Sequence, residues 1–310
     1  MKNIARKEYD MVIIGGGPGG YTAALYAARA GMKVVVLEKF SAGGQMALTS
    51  QIDNYPGFPD GVDGFELADN MRRQAERFGA ETAYVEVLGF QPEGAWKLVQ
   101  TSEGDFYGRT VVFSTGAAPR ELGIPKEKEL TGRGVHYCAH CDGMFYRGKT
   151  VVVAGGGTSA AADALLLSRV AKKVILVHRR DTLRATKIYH EPLMKADNVE
   201  FRWNSQITEL MEDGKFSGIR LKNVLTGEEE AVEADGLFVS IGRTPASALA
   251  EGKLELDKAG YILADESTRT SVPGVFAVGD VRTKVLRQVV TAVADGAVAA
   301  HYAEEYLAEQ

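Results

Sequence analysis

The sequence predicts an α/β protein made of two Rossmann-like nucleotide-binding domains. Each is expected to have a three-layer ββα sandwich architecture, with helices on one side of a parallel sheet and a small antiparallel layer on the other. Three observations predict it. A glycine fingerprint set between strand-like and helix-like stretches occurs twice. Each copy is followed by a hairpin signal and then by an apolar run ending in glycine. The chain's 2 cysteines stand together, as Cys138-Ala139-His140-Cys141, between the two fingerprints.

Met11 to Ile14 is a short apolar run and reads as a strand. It runs into Gly15-Gly16-Gly17-Pro18-Gly19-Gly20, in which Gly15, Gly17 and Gly20 occupy the G-x-G-x-x-G positions. The first glycine permits a tight turn, the second lets the backbone approach a pyrophosphate, and the third lets helix and strand pack closely. An alanine-rich helical stretch, Tyr21 to Ala30, follows, and its start would present unpaired N–H groups to phosphate. Val34 to Leu37 reads as the next strand and ends in Glu38, where a carboxylate can accept hydrogen bonds from a ribose diol.

The second copy starts with Thr150 to Ala154 and continues through Gly155-Gly156-Gly157-Thr158-Ser159-Ala160 into a helical stretch, Ala161 to Leu167. Val174 to Val177 is its second strand. Gly155 to His178 is 23 residues, the same offset as Gly15 to Glu38. The copies differ at that position. In place of an acid stands His178-Arg179-Arg180, with Arg184 four residues beyond. A carboxylate suits a free 2′-hydroxyl, whereas cations, arginine above all, suit a 2′-phosphate. The first cradle therefore reads as FAD and the second as NADPH, unless the arginines are ordinary solvated surface.

A hairpin is expected between Gly89 and Val99, turning at Pro92-Glu93-Gly94, and another between Ile207 and Leu221, turning at Asp213-Gly214. Val111 to Ser114 ends at Thr115-Gly116 and Leu237 to Ser240 at Ile241-Gly242, each returning to its parent sheet before a hinge, with Pro119 and Pro245 soon after. Near the C-terminus, Val275 to Val278 is strand-like and ends at Gly279-Asp280. Asp280 suits the ribityl or phosphate region of a flavin, and equally a helix cap. An alanine-rich helical stretch follows from Val290 to Leu307.

With 310 residues the chain is long enough for two domains. Its 35 glycines are concentrated in the fingerprints and in turns. A net charge of −5 with interspersed signs argues against a nucleic-acid binder. No apolar stretch approaches membrane-spanning length, and Met1 to Asp10 lack the apolar core of a signal peptide. A cytoplasmic, reducing location is expected, where a Cys-x-x-Cys pair is more often catalytic than structural. No third cysteine is present for a four-cysteine zinc site, and no metal is expected.

Taken in order, these segments resemble the low-molecular-weight thioredoxin reductases, over nearly the whole chain. Gly43-Gly44-Gln45 and Asp53-Asn54-Tyr55-Pro56-Gly57 are similar to that family's flavin-enclosing segments. Cys138-Ala139-His140-Cys141-Asp142-Gly143 matches its redox motif, and His178-Arg179-Arg180-Asp181 with Arg184 its NADPH signature. Gly242-Arg243-Thr244-Pro245 marks the return to the flavin domain, and Gly279-Asp280 and Arg287-Gln288 its last flavin-contacting segments.

The resemblance implies a split FAD domain, residues 1–117 and 247–310, with an NADPH domain, residues 118–246, inserted and carrying the cysteines. It implies a homodimer, one non-covalent FAD per subunit, and a rotation of one domain against the other during turnover. It assigns Cys141 to the flavin side, Cys138 to attack on the disulfide of a thioredoxin-like protein, and Asp142 to proton transfer, although Asp142 also suits a helix cap. Related reductases that use ferredoxin as donor, or a peroxiredoxin- or glutaredoxin-like acceptor, are the alternatives. Two positions depart from the family. His140 stands where a small hydroxyl residue is common, and either stabilises a thiolate or simply faces solvent. Ala162 stands where an acid is frequent.

Overall fold

The computed structural model describes residues 7–49, 51–92 and 94–310. Met1 to Arg6 of the N-terminal segment and Glu93 of the turn expected at 92–94 lie outside the described residues. The chain divides into two compact units, one of residues up to Ala118 together with Thr244–Gln310, the other of Pro119–Arg243.

In the first unit the strand Lys7–Ile14, the helix Pro18–Arg29 and the strand Val34–Glu38 form the unit expected around Gly15. Five strands run parallel in the order Glu81–Tyr84, Val34–Glu38, Lys7–Ile14, Gly104–Phe113 and Val275–Ala277. Side chains alternate along the central strand, as period 2 requires. Met11 and Ile13 pack with Ala23, Ala24 and Ala27 of the helix and with Ala299 and Ala300 of the C-terminal helix Val289–Ala308. Val12 and Ile14 pack on the other face with Phe90, Val99 and Phe106. The hairpin of Val87–Gln91 and Lys97–Thr101 supplies that second face. It is not a separate sheet, because Lys97–Thr101 is hydrogen-bonded to residues 104–108 of the long strand Gly104–Phe113, whose last residues pair with Val275–Ala277.

The second unit repeats the plan. Thr150–Ala154, Thr158–Ser168 and Lys173–Val177 are strand, helix and strand. The parallel sheet runs Val199–Arg202, Lys173–Val177, Thr150–Ala154, Gly236–Val239, Val135–His136. Val151 and Val153 meet the helix through Ala160, Ala164 and Leu167. Val152 and Ala154 meet Ile207, Phe216 and Ile219 of a separate antiparallel sheet, Ser205–Glu212, Phe216–Asn223 and Glu229–Glu233. In each unit the parallel strands end at one edge, with the fingerprint glycines just beyond, which is where ligands bind in open α/β sheets.

One helix without a sequence-based forecast, Gly64–Arg77, lies in the first unit; Asp63 caps it by accepting from Glu66 N at 2.9 Å.

Candidate active site

The first cradle is shaped by backbone contacts. Gly15 has φ +101°, and a Cβ there would lie 2.5 Å from the Ser114 carbonyl oxygen. A Cβ at Gly20 would collide with the Gly15 carbonyl oxygen, so the third glycine sets the closeness of helix and strand. Gly17 has room: its nearest neighbour, Ser114 O, is 3.9 Å from a built Cβ. Gly17 is also the N-cap of the helix Pro18–Arg29, which has no side-chain cap and no acid in its first turn. Its first N–H groups and that open space fit a pyrophosphate. Glu38 Oε2 accepts from Gly16 N at 2.7 Å and Oε1 from Lys39 N at 2.8 Å, which fixes the carboxylate beside the turn with lone pairs remaining for a diol.

The other flavin-side candidates fall around this cradle. Gly43 N donates to Gly16 O at 2.7 Å, bringing Gly44 beside Gly17, and Gln45 is exposed in the short helix Gly44–Leu48. Asn54 Nδ2 donates to Gln288 Oε1 at 3.0 Å, joining residues 234 positions apart. Gln288 is also the N-cap of the helix Val289–Ala308, with Thr291 completing a capping box. Asp280 therefore does not cap that helix; it lies in the 3₁₀ turn Gly279–Val281. Arg287 donates to the Asp280, Lys284 and Arg282 carbonyls and lies 4.2 Å from the centre of the Tyr261 ring.

Beneath the Gly279 turn is a charged cluster with no sequence signature. Asp295 accepts from Gly279 N at 2.8 Å, from Arg282 through both oxygens and from Lys284 at 2.7 Å. Arg282 is 2% exposed and Asp295 6%. Burial alone would raise the Asp295 pKa, but the bonds from Arg282 and Lys284 outweigh it and hold the carboxyl below its ordinary range.

In the second unit Gly155 has φ +143°, and a Cβ would lie 2.5 Å from Ser240 O and 2.8 Å from Ala160 Cβ. Ala160, at the third fingerprint position, is fully buried. Gly157 has nothing within 4 Å of a built Cβ and is the N-cap of the helix Thr158–Ser168, again without side-chain cap or first-turn acid. Thr158 Oγ1 accepts from Thr186 N at 3.2 Å, and Ser159 is exposed.

The four residues expected to read the 2′-phosphate separate into two kinds. Arg179, Arg180 and Arg184 are exposed, and Arg184 N donates to Gly156 O at 2.7 Å. His178 is 4% exposed, and its ring covers Gly156 so closely that any Cβ there would collide with it. Burial, then Arg184, Arg180 and Arg179, lower its pKa, so it stands as a neutral imidazole among cations. Its buried Nε2 has no hydrogen-bond partner among the described residues. An orphaned polar atom beside an open glycine and three arginines fits a polar cofactor edge.

The cysteines stand at the carboxyl edge of the same sheet, after the strand Val135–His136. They form a disulfide, with Cα atoms 5.3 Å apart. The motif is not a loop: Cys138 is the N-cap of the helical turn Ala139–Asp142, its Sγ accepts from Cys141 N at 3.2 Å, and its carbonyl accepts from Asp142 N at 3.0 Å. His140 is exposed. Asp142 makes no side-chain cap bond; its Oδ2 lies 3.2 Å from Nδ1 of the buried His136. The acid absent at Ala162 stands one residue on. Asp163 accepts from Ser240 Oγ at 2.6 Å; burial raises its pKa, opposed by that bond and by the charges of His140 and Arg243.

His136, Asp163 and the Asp295 cluster escaped the reading of the sequence. His136 stood close to the cysteines, but no spacing rule pairs a strand-end histidine with an acid beyond the next turn.

Two nucleotide cradles and a disulfide at a sheet edge have counterparts in known proteins. The family model of the pyridine nucleotide-disulphide oxidoreductases matches residues 9–296. A thioredoxin reductase of Peptoclostridium acidaminophilum is 46% identical over 305 residues, covering 96% of this chain and 97% of that protein. The crystal structure of thioredoxin reductase from Streptococcus pyogenes superposes with a TM-score of 0.92 at 43% identity, covering 99% of this chain and all of that one. Thioredoxin reductase from Giardia duodenalis gives a TM-score of 0.92 at 36% identity, covering 98% of this chain and all of that one. Similarity of this extent, on a chain whose geometry already holds the parts of a hydride-to-disulfide relay, means that the protein belongs to the pyridine nucleotide-disulphide oxidoreductases and, among them, to the NADPH-dependent flavoprotein disulfide reductases of the low-molecular-weight thioredoxin reductase type.

Proposed function

We propose that the protein reduces the disulfide of a thioredoxin-like protein, with NADPH as donor and one non-covalent FAD per subunit. The observation that carries this reading is the Cys138–Cys141 disulfide, held in a helical turn at the carboxyl edge of the sheet that also carries the arginine-lined nucleotide cradle. We assign the split unit to FAD and the inserted unit to NADPH and the cysteines. Bound FAD supplies the two-electron chemistry between nicotinamide and disulfide.

The chain's own residues do the rest. Gly15, Gly17, Gly20 and Glu38 hold the adenosine diphosphate half of the flavin nucleotide, and Gly44, Gln45, Asn54, Gly279, Asp280, Arg287 and Gln288 surround the remainder. Gly155, Gly157, Thr158, Ser159 and Ala160 form the NADPH pyrophosphate cradle; His178 borders it, Arg179, Arg180 and Arg184 face the 2′-phosphate, and Arg243, whose charge reaches Asp163, completes the set. Cys141 takes the electrons, Asp142 moves the proton that one sulfur gains, and Cys138 as thiolate attacks the partner disulfide. A homodimer and a cytoplasmic location accord with this reading. No helix among the described residues is long and apolar enough to cross a membrane.

The test uses both cysteine variants. Cys141→Ser, reduced and mixed with an oxidised thioredoxin from the same cell, is expected to accumulate an intermolecular disulfide through Cys138, because the resolving thiol is gone. Cys138→Ser is expected to form none. Neither variant is expected to support NADPH-driven turnover. A trapped complex in Cys138→Ser alone reverses the two roles. Wild-type turnover with reduced ferredoxin but not with NADPH overturns the donor.

A further inference from the structure

Asp142 is one end of a chain of three groups. Its Oδ2 is 3.2 Å from His136 Nδ1, and His136 Nε2 is 2.7 Å from Tyr146 Oη. The imidazole is 8% exposed, stacks on Phe238 at 5.3 Å and meets the Tyr146 ring edge-on at 5.2 Å. Gly236 makes room for this arrangement, since a Cβ there would collide with the Tyr146 ring. The Asp142 contact, the Tyr146 hydrogen bond and the Phe238 stack hold the imidazole from three sides.

We propose that His136 is a positioning residue for Asp142 which, backed by Tyr146, lets the Asp142–His136 pair hold jointly the proton delivered to the disulfide. A carboxylate alone gives up its proton well below neutral pH, whereas imidazole titrates close to it. Two groups in such contact bind a proton as a pair. The Tyr146 hydroxyl donates to Nε2 when the ring is neutral and accepts from Nε2–H when it is charged, so Nε2 keeps its partner in both states. Burial, then Asp142 and Asp235, push the Tyr146 pKa up to about 12, so it remains a hydroxyl. Other charged groups near these three, among the described residues, include Asp235, bound to Thr150 N at 2.8 Å, and Lys149, 5.3 Å from the centre of the Tyr146 ring. His140 lies exposed on the turn that carries Asp142, within electrostatic reach of Asp163.

The balance is simple. Opening the Cys138–Cys141 disulfide takes two electrons, breaks the S–S bond and needs two protons to end as a dithiol. The hydride donor accounts for both electrons and one proton. The second proton comes from the Asp142–His136 pair and is replaced from solvent.

This inference rests on the reading of Asp142 as the proton carrier, and the experiment separates the two. NADPH-driven reduction of an aromatic disulfide dye by the holoenzyme is followed from about pH 5.5 to about pH 9 in the wild type and in Asp142→Asn, His136→Asn and Tyr146→Phe. Asp142→Asn is expected to be slow throughout. His136→Asn is expected to move the alkaline limb of the profile to lower pH by about one unit or more, with anaerobic flavin reduction by NADPH unchanged. Tyr146→Phe is expected to move it the same way by less, since a hydrogen bond to the charged ring is the stronger one lost. Wild-type rates in Asp142→Asn overturn the reading of Asp142. A slow Asp142→Asn, with both other variants keeping the wild-type limb, overturns the role of His136. Should His136→Asn lose its flavin on folding, Tyr146→Phe decides.

Discussion

His178 and Arg179 are neighbours in sequence and opposite in electrostatic role. The imidazole is buried against Gly156 and held neutral, while Arg179, Arg180 and Arg184 stay exposed and charged. Discrimination for a 2′-phosphate then belongs to the arginines. Charge-assisted hydrogen bonds contribute roughly 1.5–3 kcal/mol each. Arg179→Ala with Arg180→Ala is expected to weaken NADPH binding by about tenfold or more per side chain, with NADH binding little changed. Fluorescence titration with both nucleotides checks it, and an equal loss for both removes the arginines from 2′-phosphate recognition. Asp295 is a residue-scale case for stability. Its folded pKa lies below the unfolded value, so its contribution is complete above the ordinary carboxylate pKa and is lost as the pH falls through the folded value. Asp295→Asn leaves the buried Arg282 with only the exposed Glu266, 3.9 Å away, as close counter-charge and is expected to cost about 3–5 kcal/mol at pH 7. The gap between variant and wild type narrows at acid pH, as the wild-type carboxyl protonates. Denaturant midpoints at neutral and acid pH measure it; a gap independent of pH would assign the loss to packing instead.

Among the elements, the fingerprint turns use glycines at different positions for different ends. Gly20 is a packing glycine: a Cβ would meet the Gly15 carbonyl and push the helix Pro18–Arg29 off its strand. Gly157 is an access glycine, with open space around it and an ordinary negative φ of −89°. Gly20→Ala is expected to lower thermal stability and to release flavin during purification. Gly157→Ala is expected to fold with wild-type stability and wild-type flavin content, and to bind NADPH several-fold more weakly. Scanning calorimetry with the flavin-to-protein absorbance ratio separates the two, and a destabilised Gly157→Ala would mean that this glycine serves packing as well. The helix Gly64–Arg77 depends on its cap in the usual way, and Asp63→Ala is expected to cost about 1 kcal/mol.

At the scale of the whole molecule, the two units differ in how the chain builds them. Pro119–Arg243 is one uninterrupted segment with a hydrophobic core on each face of its sheet. Expressed alone, it is expected to unfold cooperatively on heating and to bind NADPH with an affinity close to that of the full chain, which denaturation curves and titration would test. The other unit is split. The strand Val275–Ala277 and the helix Val289–Ala308 come from its last portion, and that helix approaches the helix Pro18–Arg29 so closely that a Cβ at Gly296 would collide with the Gly19 carbonyl. A chain truncated after residue 118 loses that packing and is expected to retain no flavin. Retention of flavin by such a fragment would show that the late elements are dispensable for the cradle.

By itself the sequence determined the local architecture. Strand, glycine turn, helix and strand around Gly15 and again around Gly155 were legible because apolar periodicity and glycine placement act over a few residues, and the structure differs from them only at element ends. The antiparallel strands around 92–94 and 213–214 were legible for the same reason. The dithiol was legible because both cysteines lie within one turn of chain. Tertiary structure alone decided what depends on distant groups meeting. The first hairpin joins the main sheet because the long strand Gly104–Phe113 has an edge to offer it. His178 became a neutral, packed ring because the fold buries it against Gly156. Asp142 meets His136, His136 meets Tyr146, and Asp295 meets Arg282, through contacts between side chains of separate elements. Proton affinity and charge depend on burial and on neighbours within a few ångströms, and spacing along a chain does not encode those neighbours.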